Sequence, residues 1–161
     1  MTLIIEDGSQ VANANSFVTD AEYTAYAAAR GLTVAATEAE REPDLIRAMD
    51  YLASVECSMQ GNRVSSTQAV MYPRYNVVLF GYLLASDKIP NELKNAQMEA
   101  AAYATSNLLL TNSSNDNVKS EQVDVLKTEY FSGGSFTTVN LQRVNAQLKP
   151  LLKDTDTLVR V

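Results

Sequence analysis

The sequence predicts a mainly α fold, a small bundle of about four helices with a short N-terminal strand and a small β-hairpin before the C-terminal helix. Apolar residues recur at helical spacing in four segments, two segments open with a capping-box pattern, and a later segment alternates apolar and polar residues. A chain of 161 residues has the length of one domain, so residues 1–161 are expected to form a single domain. Residues 153–161 have no strong period and are expected to be a flexible or partner-docking tail.

The segment after Pro90 predicts the central helix of the bundle. Pro90 is expected at the first helical position, where its missing N–H is not needed and its fixed φ suits the helix. The helix is expected to run on to Leu110. Its expected buried positions are mostly small: Leu93, Ala96, Gln97, Ala100, Ala104 and Leu108. Small side chains let neighbouring helices approach closely, so this stripe indicates a helix that packs on several sides.

The first part of the chain predicts one strand and one helix. Residues 2–5 form a short apolar run closed by a turn, which indicates a brief strand. Thr19 and Glu22 fit a capping box, and Gly31 is a suitable residue for ending the helix that follows. The first helix is therefore predicted over about residues 19–30.

The second helix has two possible starts. It either begins after Thr37, where a second capping box occurs, and loses one hydrogen bond at Pro43, or it begins with Pro43 as its first residue. Both alternatives end near Ser58. An acidic cluster at this helix start is expected to be a solvated face and not a pair of catalytic carboxylates: Glu38, Glu40, Glu42 and Asp44.

The connection that follows, residues 64–86, is unusually apolar for its length. It contains the run Val77-Val78-Leu79-Phe80-Gly81-Tyr82-Leu83-Leu84. Two interpretations stay open. The run is either a strand or tucked loop that covers the core, or a surface that is buried only against another copy or a partner.

The last third of the chain predicts a hairpin and a final helix. Val123, Val125 and Lys127 alternate with the residues between them, which favours one or two strands. An amphipathic stripe then runs from about Asn140 and has Pro150 near its end. These segments complete the predicted bundle.

The residue inventory gives little support to an enzyme. The chain has no histidine, so the commonest general base and the commonest nitrogen ligand of zinc are missing. Cys57 lies on the predicted apolar face of its helix and is expected to be an inert buried thiol. We expect no catalytic residues, no metal site and no cofactor.

Charge and hydropathy suggest where the protein works. The net charge of −6 disfavours a protein whose main task is binding nucleic-acid phosphates. The first residues lack the features of a signal peptide, and no apolar run approaches the roughly 20 residues that span a bilayer. The single cysteine makes an intracellular origin the simpler interpretation. We therefore expect a soluble protein without a membrane partner.

Several short motifs in one order resemble a family of small phage and prophage proteins from head-morphogenesis regions. These are Ile5-Glu6-Asp7-Gly8, Ala14-Asn15-Ser16-Phe17-Val18, Ala28-Ala29-Arg30-Gly31, Leu45-Ile46-Arg47-Ala48-Met49-Asp50-Tyr51-Leu52, Gln68-Ala69-Val70-Met71-Tyr72-Pro73-Arg74, Ile89-Pro90, Val118-Lys119-Ser120-Glu121 and Leu148-Lys149-Pro150-Leu151-Leu152. Some members of the family carry the label DnaT-like single-stranded-DNA-binding protein, and the family is similar to the head–tail connector, or adaptor, proteins of long-tailed phages. Tyr72 stands where a tryptophan is usual, and the run from Val77 to Leu84 replaces what is often a polar loop.

The resemblance implies a structural virion protein of the bacteriophage neck, assembled in the host cytoplasm. Commonly twelve copies form a ring under the portal protein, contact a tail or stopper (tail-completion) protein, and leave a channel for double-stranded genomic DNA during packaging and ejection. A ring of acidic subunits would repel DNA phosphates and let the genome slide. The residues we expect to contact neighbours or the portal are Tyr72, Arg74, Val77, Val78, Leu79, Phe80, Tyr82, Leu83, Leu151, Leu152, Val159 and Val161.

An alternative takes the DnaT-like label at face value. The protein is then a single-stranded-DNA-binding replication accessory that uses Tyr72, Arg74 and Tyr75. Aromatic side chains stack on bases, and an interleaved arginine neutralises the phosphates. Such binding weakens steeply with salt.

Overall fold

The computed structural model describes residues 2–107, 109, 120–123, 126–129 and 141–153. The predicted fold class is confirmed. The described residues contain four helices, namely α1 (Asp20–Arg30), α2 (Glu38–Ser54), α3 (Asn91–Ala104) and α4 (Gln142–Leu148). They also contain three antiparallel pairs of strands: β1 (Asn62–Arg63) with β2 (Arg74–Tyr75), β3 (Val78–Leu79) with β4 (Tyr82–Leu83), and β5 (Ser120–Val123) with β6 (Leu126–Glu129).

The chain divides into two compact units. One consists of residues 1–109 and 140–161, and the other of residues 110–139. In the second unit, β5 and β6 form the predicted hairpin, with Ser120 opposite Glu129 and Val123 opposite Leu126. That the whole chain is one domain stays a prediction. Apart from Lys153, the predicted tail lies outside the described residues.

Helix α3 is the centre of the first unit and packs against α1, α2 and α4. The buried stripe is where the sequence predicts it, at Leu93, Ala96, Gln97, Ala100 and Ala104; Leu108 lies outside the described residues. The predicted bounds are wrong at both ends. Pro90 caps the helix in an extended conformation, with ψ at 145°, and the helix ends at Ala104 and not at Leu110.

Gln97 joins three parts of the core through its buried side chain. Its Oε1 accepts a hydrogen bond from the Phe17 backbone N–H at 2.9 Å. Its Nε2 donates to Ser16 Oγ at 2.8 Å and to the Leu45 carbonyl at 3.2 Å. Because buried polar groups must be hydrogen-bonded, this side chain fixes the N-terminal segment and α2 on α3.

Residues 2–5 do not form the predicted strand. They are held in place by the loop that follows them. Ile5 makes an isolated parallel bridge with Ser16. Between them, the buried Glu6 carboxylate accepts hydrogen bonds from backbone N–H groups of Gly8, Gln10 and Val11, at 2.8–2.9 Å. The chain turns around this carboxylate, and its two arms share backbone hydrogen bonds from Glu6 to Ser16 and from Asn15 and Ser16 to Ile4.

Helices α1 and α2 have the predicted starts. Thr19 and Glu22 form the capping box of α1, and Gly31 ends that helix in the left-handed conformation at φ +63°. Helix α2 begins after Thr37 and carries Pro43 inside it, as in the first of the two alternatives. It ends at Ser54 and is followed by a 3₁₀ turn, Glu56–Ser58.

Two predictions for the residues of α2 and the turn after it are wrong. Cys57 is exposed, because the helix ends before it and the 3₁₀ turn changes the direction of its side chain. Asp44 is buried and not solvated. Its carboxylate pairs with Arg47 one turn further along α2, and it accepts a hydrogen bond of 2.8 Å from the Thr105 hydroxyl just after α3. Asp44 therefore connects the two helices.

The C-terminal helix is shorter than its apolar stripe. Helix α4 packs against α3 and continues into a second 3₁₀ turn, Lys149–Leu151, that contains Pro150. The side chains of Leu141, Val144, Leu148 and Leu151 are buried along this segment.

Candidate interaction surface

The long connection between α2 and α3 is organised by one buried arginine. The Arg74 guanidinium donates to three backbone carbonyls, those of Gln60 and Gly61 at 2.8 Å and that of Met71 at 3.3 Å. It also pairs with the Glu56 carboxylate at 3.0 Å. A planar guanidinium with five donors suits this arrangement, and its side chain is consequently fixed inside the chain.

Glu56 is shared between two arginines. Arg63 approaches its carboxylate with two nitrogens, each at 2.6 Å, while Arg74 donates to Oε1, the oxygen that also accepts from Arg63 Nε. The hydrogen bonds from Arg63, helped by the charges of both arginines, hold the pKa of Glu56 below its ordinary value. The same contacts raise the pKa of Arg63. This cluster ties the end of α2 to β1 and β2.

The proposed base-stacking residues do not form a common surface. Tyr72 is fully buried, with the Arg74 guanidinium 5.9 Å from the centre of its ring. Burial raises the pKa of Tyr72 to about 12, and its hydroxyl has no hydrogen-bond partner among the described groups. Arg74 is 6% exposed, whereas Tyr75 is 43% exposed. Tyr75 is thus the member of the trio that solvent or a base can reach.

The apolar run, residues 77–84, forms a hairpin that extends from the part of the connection held by Arg74 and Glu56. Val77 is buried, and its carbonyl accepts a hydrogen bond from Leu84 N–H at 2.8 Å, which closes the foot of the hairpin. Gln60 connects that foot to the C-terminal segment, since its Oε1 accepts from Val78 N–H at 3.2 Å and its Nε2 donates to the Pro150 carbonyl at 2.9 Å. The hairpin therefore leaves the body of the protein from a fixed position.

The outer part of the hairpin is exposed and apolar. Phe80 and Leu83 are each 71% exposed and Tyr82 is 79% exposed, while Val78 is half-exposed and Leu79 half-buried. No charged residue occurs over residues 75–86. An uninterrupted apolar projection of this kind is typical of a surface that becomes buried in an interaction.

The hairpin turns through two residues in the left-handed region. Leu79 pairs with Tyr82, and the residues between them, Phe80 and Gly81, have φ of +52° and +85°. Such turns match the twist of the strands and favour Asn-Gly at these positions. Phenylalanine in this conformation costs on the order of 1–2 kcal/mol. Within the described part of the chain, its exposed ring gains no burial that offsets the strain.

A pocket of about 480 Å³ lies elsewhere on the same unit. It is formed where the second half of α3 meets the start of α4 and the residues after α1. The lining residues are Leu32, Thr33, Glu99, Ala102, Tyr103, Ser106, Asn107, Leu141, Gln142, Arg143 and Val144. Sequence patterns gave no signal for this pocket, because its three segments come together only when the helices pack.

One carboxylate in the pocket wall already has a partner. Glu99 accepts a hydrogen bond of 3.1 Å from the Tyr26 hydroxyl, and Arg143 lies 3.9 Å from its other oxygen. Burial, together with the Glu99 charge, raises the pKa of Tyr26 to about 12. Arg143 itself is largely exposed at the rim.

The residues expected to contact a neighbour or the portal fall into three groups. Val78, Leu79, Phe80, Tyr82 and Leu83 form the hairpin. Tyr72, Arg74, Val77 and Leu151 are buried inside the chain, and Leu152 is half-buried in a bridge with Met59. Val159 and Val161 lie outside the described residues. Among the described residues of this set, those of the hairpin are therefore the ones that a partner can contact without partial unfolding of the chain.

In the part of the chain that the structure describes, no group of three or more cysteine or acidic side chains is arranged to hold a metal ion. None of the described helices combines the length and the apolar character that crossing a membrane requires.

The fold and the surface define a small, mainly α protein with a separate pocket and an apolar hairpin whose foot is fixed by hydrogen bonds. The chain belongs to the family described as "Putative DnaT-like ssDNA binding protein", whose model matches residues 1–161. No curated protein and no solved structure gives a significant match.

Proposed function

We propose that this protein is a structural virion subunit, the head–tail connector (adaptor) that forms a homo-oligomeric ring under the portal and joins the capsid to the tail. The ring leaves a channel for the genome. The protein then transforms no substrate, and its partners are copies of itself, the portal, and a tail or stopper protein.

The observation that carries this proposal is the exposed hairpin. Its three most exposed side chains, Phe80, Tyr82 and Leu83, each gain about 1.5–3 kcal/mol when they move fully from water to an apolar environment. Because the foot of the hairpin is fixed by Val77 and Gln60, little ordering is needed when a partner binds. An exposed apolar surface of this kind is typical of one that a partner covers.

Two other properties support a connector. The motif order resembles the connector proteins, and the net charge of −6 suits a channel wall along which DNA slides. The buried positions of Tyr72 and Arg74 also remove two of the three side chains on which a single-strand site was based.

The test is the oligomeric state, measured by light scattering and negative-stain imaging, alone and with the cognate portal. We expect rings or a portal-bound ring, and expect the triple variant Phe80→Ser, Tyr82→Ser, Leu83→Ser to stay monomeric while retaining its circular dichroism spectrum. The matched control is Ile4→Ser, which changes an exposed apolar side chain outside the hairpin. A protein that stays monomeric at high concentration and ignores the portal would refute the proposal.

The family description supports a second candidate, binding of single-stranded DNA. Tyr75 and Tyr82 are both exposed, so a sequence-tolerant stacking surface would use these two rings. A fluorescence titration with an oligonucleotide at physiological salt distinguishes the two functions. Micromolar or tighter binding that is lost on Tyr75→Ala and weakens steeply with salt would favour this candidate.

A further inference from the structure

We propose that the tip of the hairpin, Phe80 and Tyr82, of one copy inserts into the pocket between α3 and α4 of the next copy. This inference rests on the proposed function, since it identifies the contact between repeated subunits. The occupant of the pocket is thus a second copy of this chain.

The pocket has the right size for the tip. A cavity of about 150 Å³ accommodates a benzene ring. The volume of about 480 Å³ therefore has room for the rings of both Phe80 and Tyr82, together with part of their side-chain stems. Its walls include Leu32, Ala102 and Val144, which present carbon atoms to an inserted ring.

The conformation of Phe80 points to a partner. A bulky residue at φ +52° in a two-residue turn is strained, and an asparagine or glycine would relieve the strain. Strain of this kind persists where another gain offsets it. The Phe80 ring is 71% exposed, so the described residues of its own subunit do not supply that gain, whereas insertion into the pocket of a second copy would.

Hairpin and pocket lie at opposite ends of α4. Strand β3 packs against the 3₁₀ turn that follows α4, whereas the pocket includes the first residues of α4. Residues 145–148 of α4 separate the pocket lining from that turn by roughly 6 Å along the helix axis. Because the projection and the recess are different surfaces, insertion in one direction around the assembly builds a closed ring or an open filament, whereas reciprocal insertion between two copies would build a two-fold dimer.

The polarity of the two surfaces agrees with insertion. The tip carries no charge, so it brings no ion into the pocket, and Arg143 of the pocket lies at the exposed rim, 3.9 Å from Glu99. Glu99 in the pocket wall is already hydrogen-bonded to Tyr26. The Tyr82 hydroxyl can find a partner in polar groups of the wall, at Thr33 or Asn107.

The buried area is small for a single pair. A large aromatic side chain buries about 150–250 Å², so the two exposed rings and the pocket walls that cover them account for roughly 500–800 Å² in total. Stable pairwise interfaces bury about 1,200 Å² or more. Each contact is consequently weak alone, and ring closure, which gives every subunit two such contacts, stabilises the assembly.

Photo-crosslinking tests the contact directly. Benzoylphenylalanine replaces Phe80, which keeps an aromatic ring at the tip, and the protein is mixed with isotope-labelled wild-type chains before illumination. We expect crosslinks from the tip to Ala102, Leu141 or Val144 of labelled chains, identified by mass spectrometry. The matched control carries the same probe at Tyr75, which is exposed but lies in β2, outside the tip.

Filling the pocket provides an independent test. Ala102→Trp should raise the dissociation constant between subunits by about thirtyfold, as expected for loss of an aromatic anchor. Ala25→Trp, on the exposed face of α1, should leave that constant within about twofold, as for a surface change outside the contact. Assembly of folded Ala102→Trp at the wild-type level would overturn the inference.

The outcomes separate this inference from the proposed function. Oligomers whose tip crosslinks to another surface, or whose pocket is filled by a different segment of the same chain, refute the contact but leave the connector intact. A protein that forms no oligomer and does not bind the portal refutes both.

Discussion

Replacing Gln97 by methionine should destabilise the fold more than any other change of one polar side chain on α3. The substitution keeps the size of the side chain but removes its three hydrogen bonds, to Phe17, Ser16 and Leu45. The Phe17 N–H is then buried without an acceptor, which costs about 1–3 kcal/mol, and each lost bond from Nε2 contributes about 0.5–1.5 kcal/mol. We expect the free energy of unfolding to fall by about 4 kcal/mol in total.

The assay is urea unfolding followed by far-ultraviolet circular dichroism, with thermal unfolding as a second measurement. For a chain of this size, about 4 kcal/mol corresponds to a fall in Tm of roughly 10 °C. The matched control is Gln142→Met at the exposed start of α4, which should change the stability by less than about 0.5 kcal/mol. A loss below about 1 kcal/mol for Gln97→Met, with an unchanged denaturant slope, would refute the reasoning.

Three further predictions concern charged and aromatic groups of the first unit. Arg74→Lys should destabilise the protein by about 2–4 kcal/mol in urea unfolding, because an ammonium has three donors for the four acceptors of Arg74 and leaves Glu56 partly unpaired. On acidification, the stability contributed by Glu56 should be complete above its unfolded pKa near 4.5 and disappear as the pH falls through its lower folded pKa, which a stability–pH curve measures. At high pH, Tyr23, Tyr26 and Tyr72 should ionise near pH 12 in a spectrophotometric titration, and the stability their burial contributes should be lost from about pH 10 to about pH 12.

For each of these three predictions, one experimental result would contradict the reasoning. Wild-type stability of Arg74→Lys would mean that the arginine is not fixed by its carbonyl partners. An Arg74→Lys variant that follows the same acid curve as the wild type would show that its pairing with Glu56 does not contribute. Ionisation of all eight tyrosines in one step near pH 10 would contradict the burial of the three.

The sequence by itself determined the four helices, both ends of α1 and the start of α2. Capping boxes at Thr19 and Thr37 and the left-handed Gly31 act within a few residues, so local chemistry suffices to place them. The alanine-containing buried stripe of α3 could also be predicted from the sequence, because helical periodicity depends only on the spacing of residues. The apolar run at residues 77–84 was visible too, although whether it covered the core or faced outward stayed open.

Tertiary structure alone decided which side chains are available. The sequence predicts an accessible Arg74, but in the structure this side chain is buried and hydrogen-bonded to backbone carbonyls. The sequence predicts a buried Cys57, but this side chain is exposed because α2 ends before it. Asp44 became buried once Thr105 was brought against it. The pocket between α3 and α4 likewise has no counterpart in the sequence. Burial and concavity depend on groups far apart along the chain meeting in space, and no local pattern encodes which of them will meet.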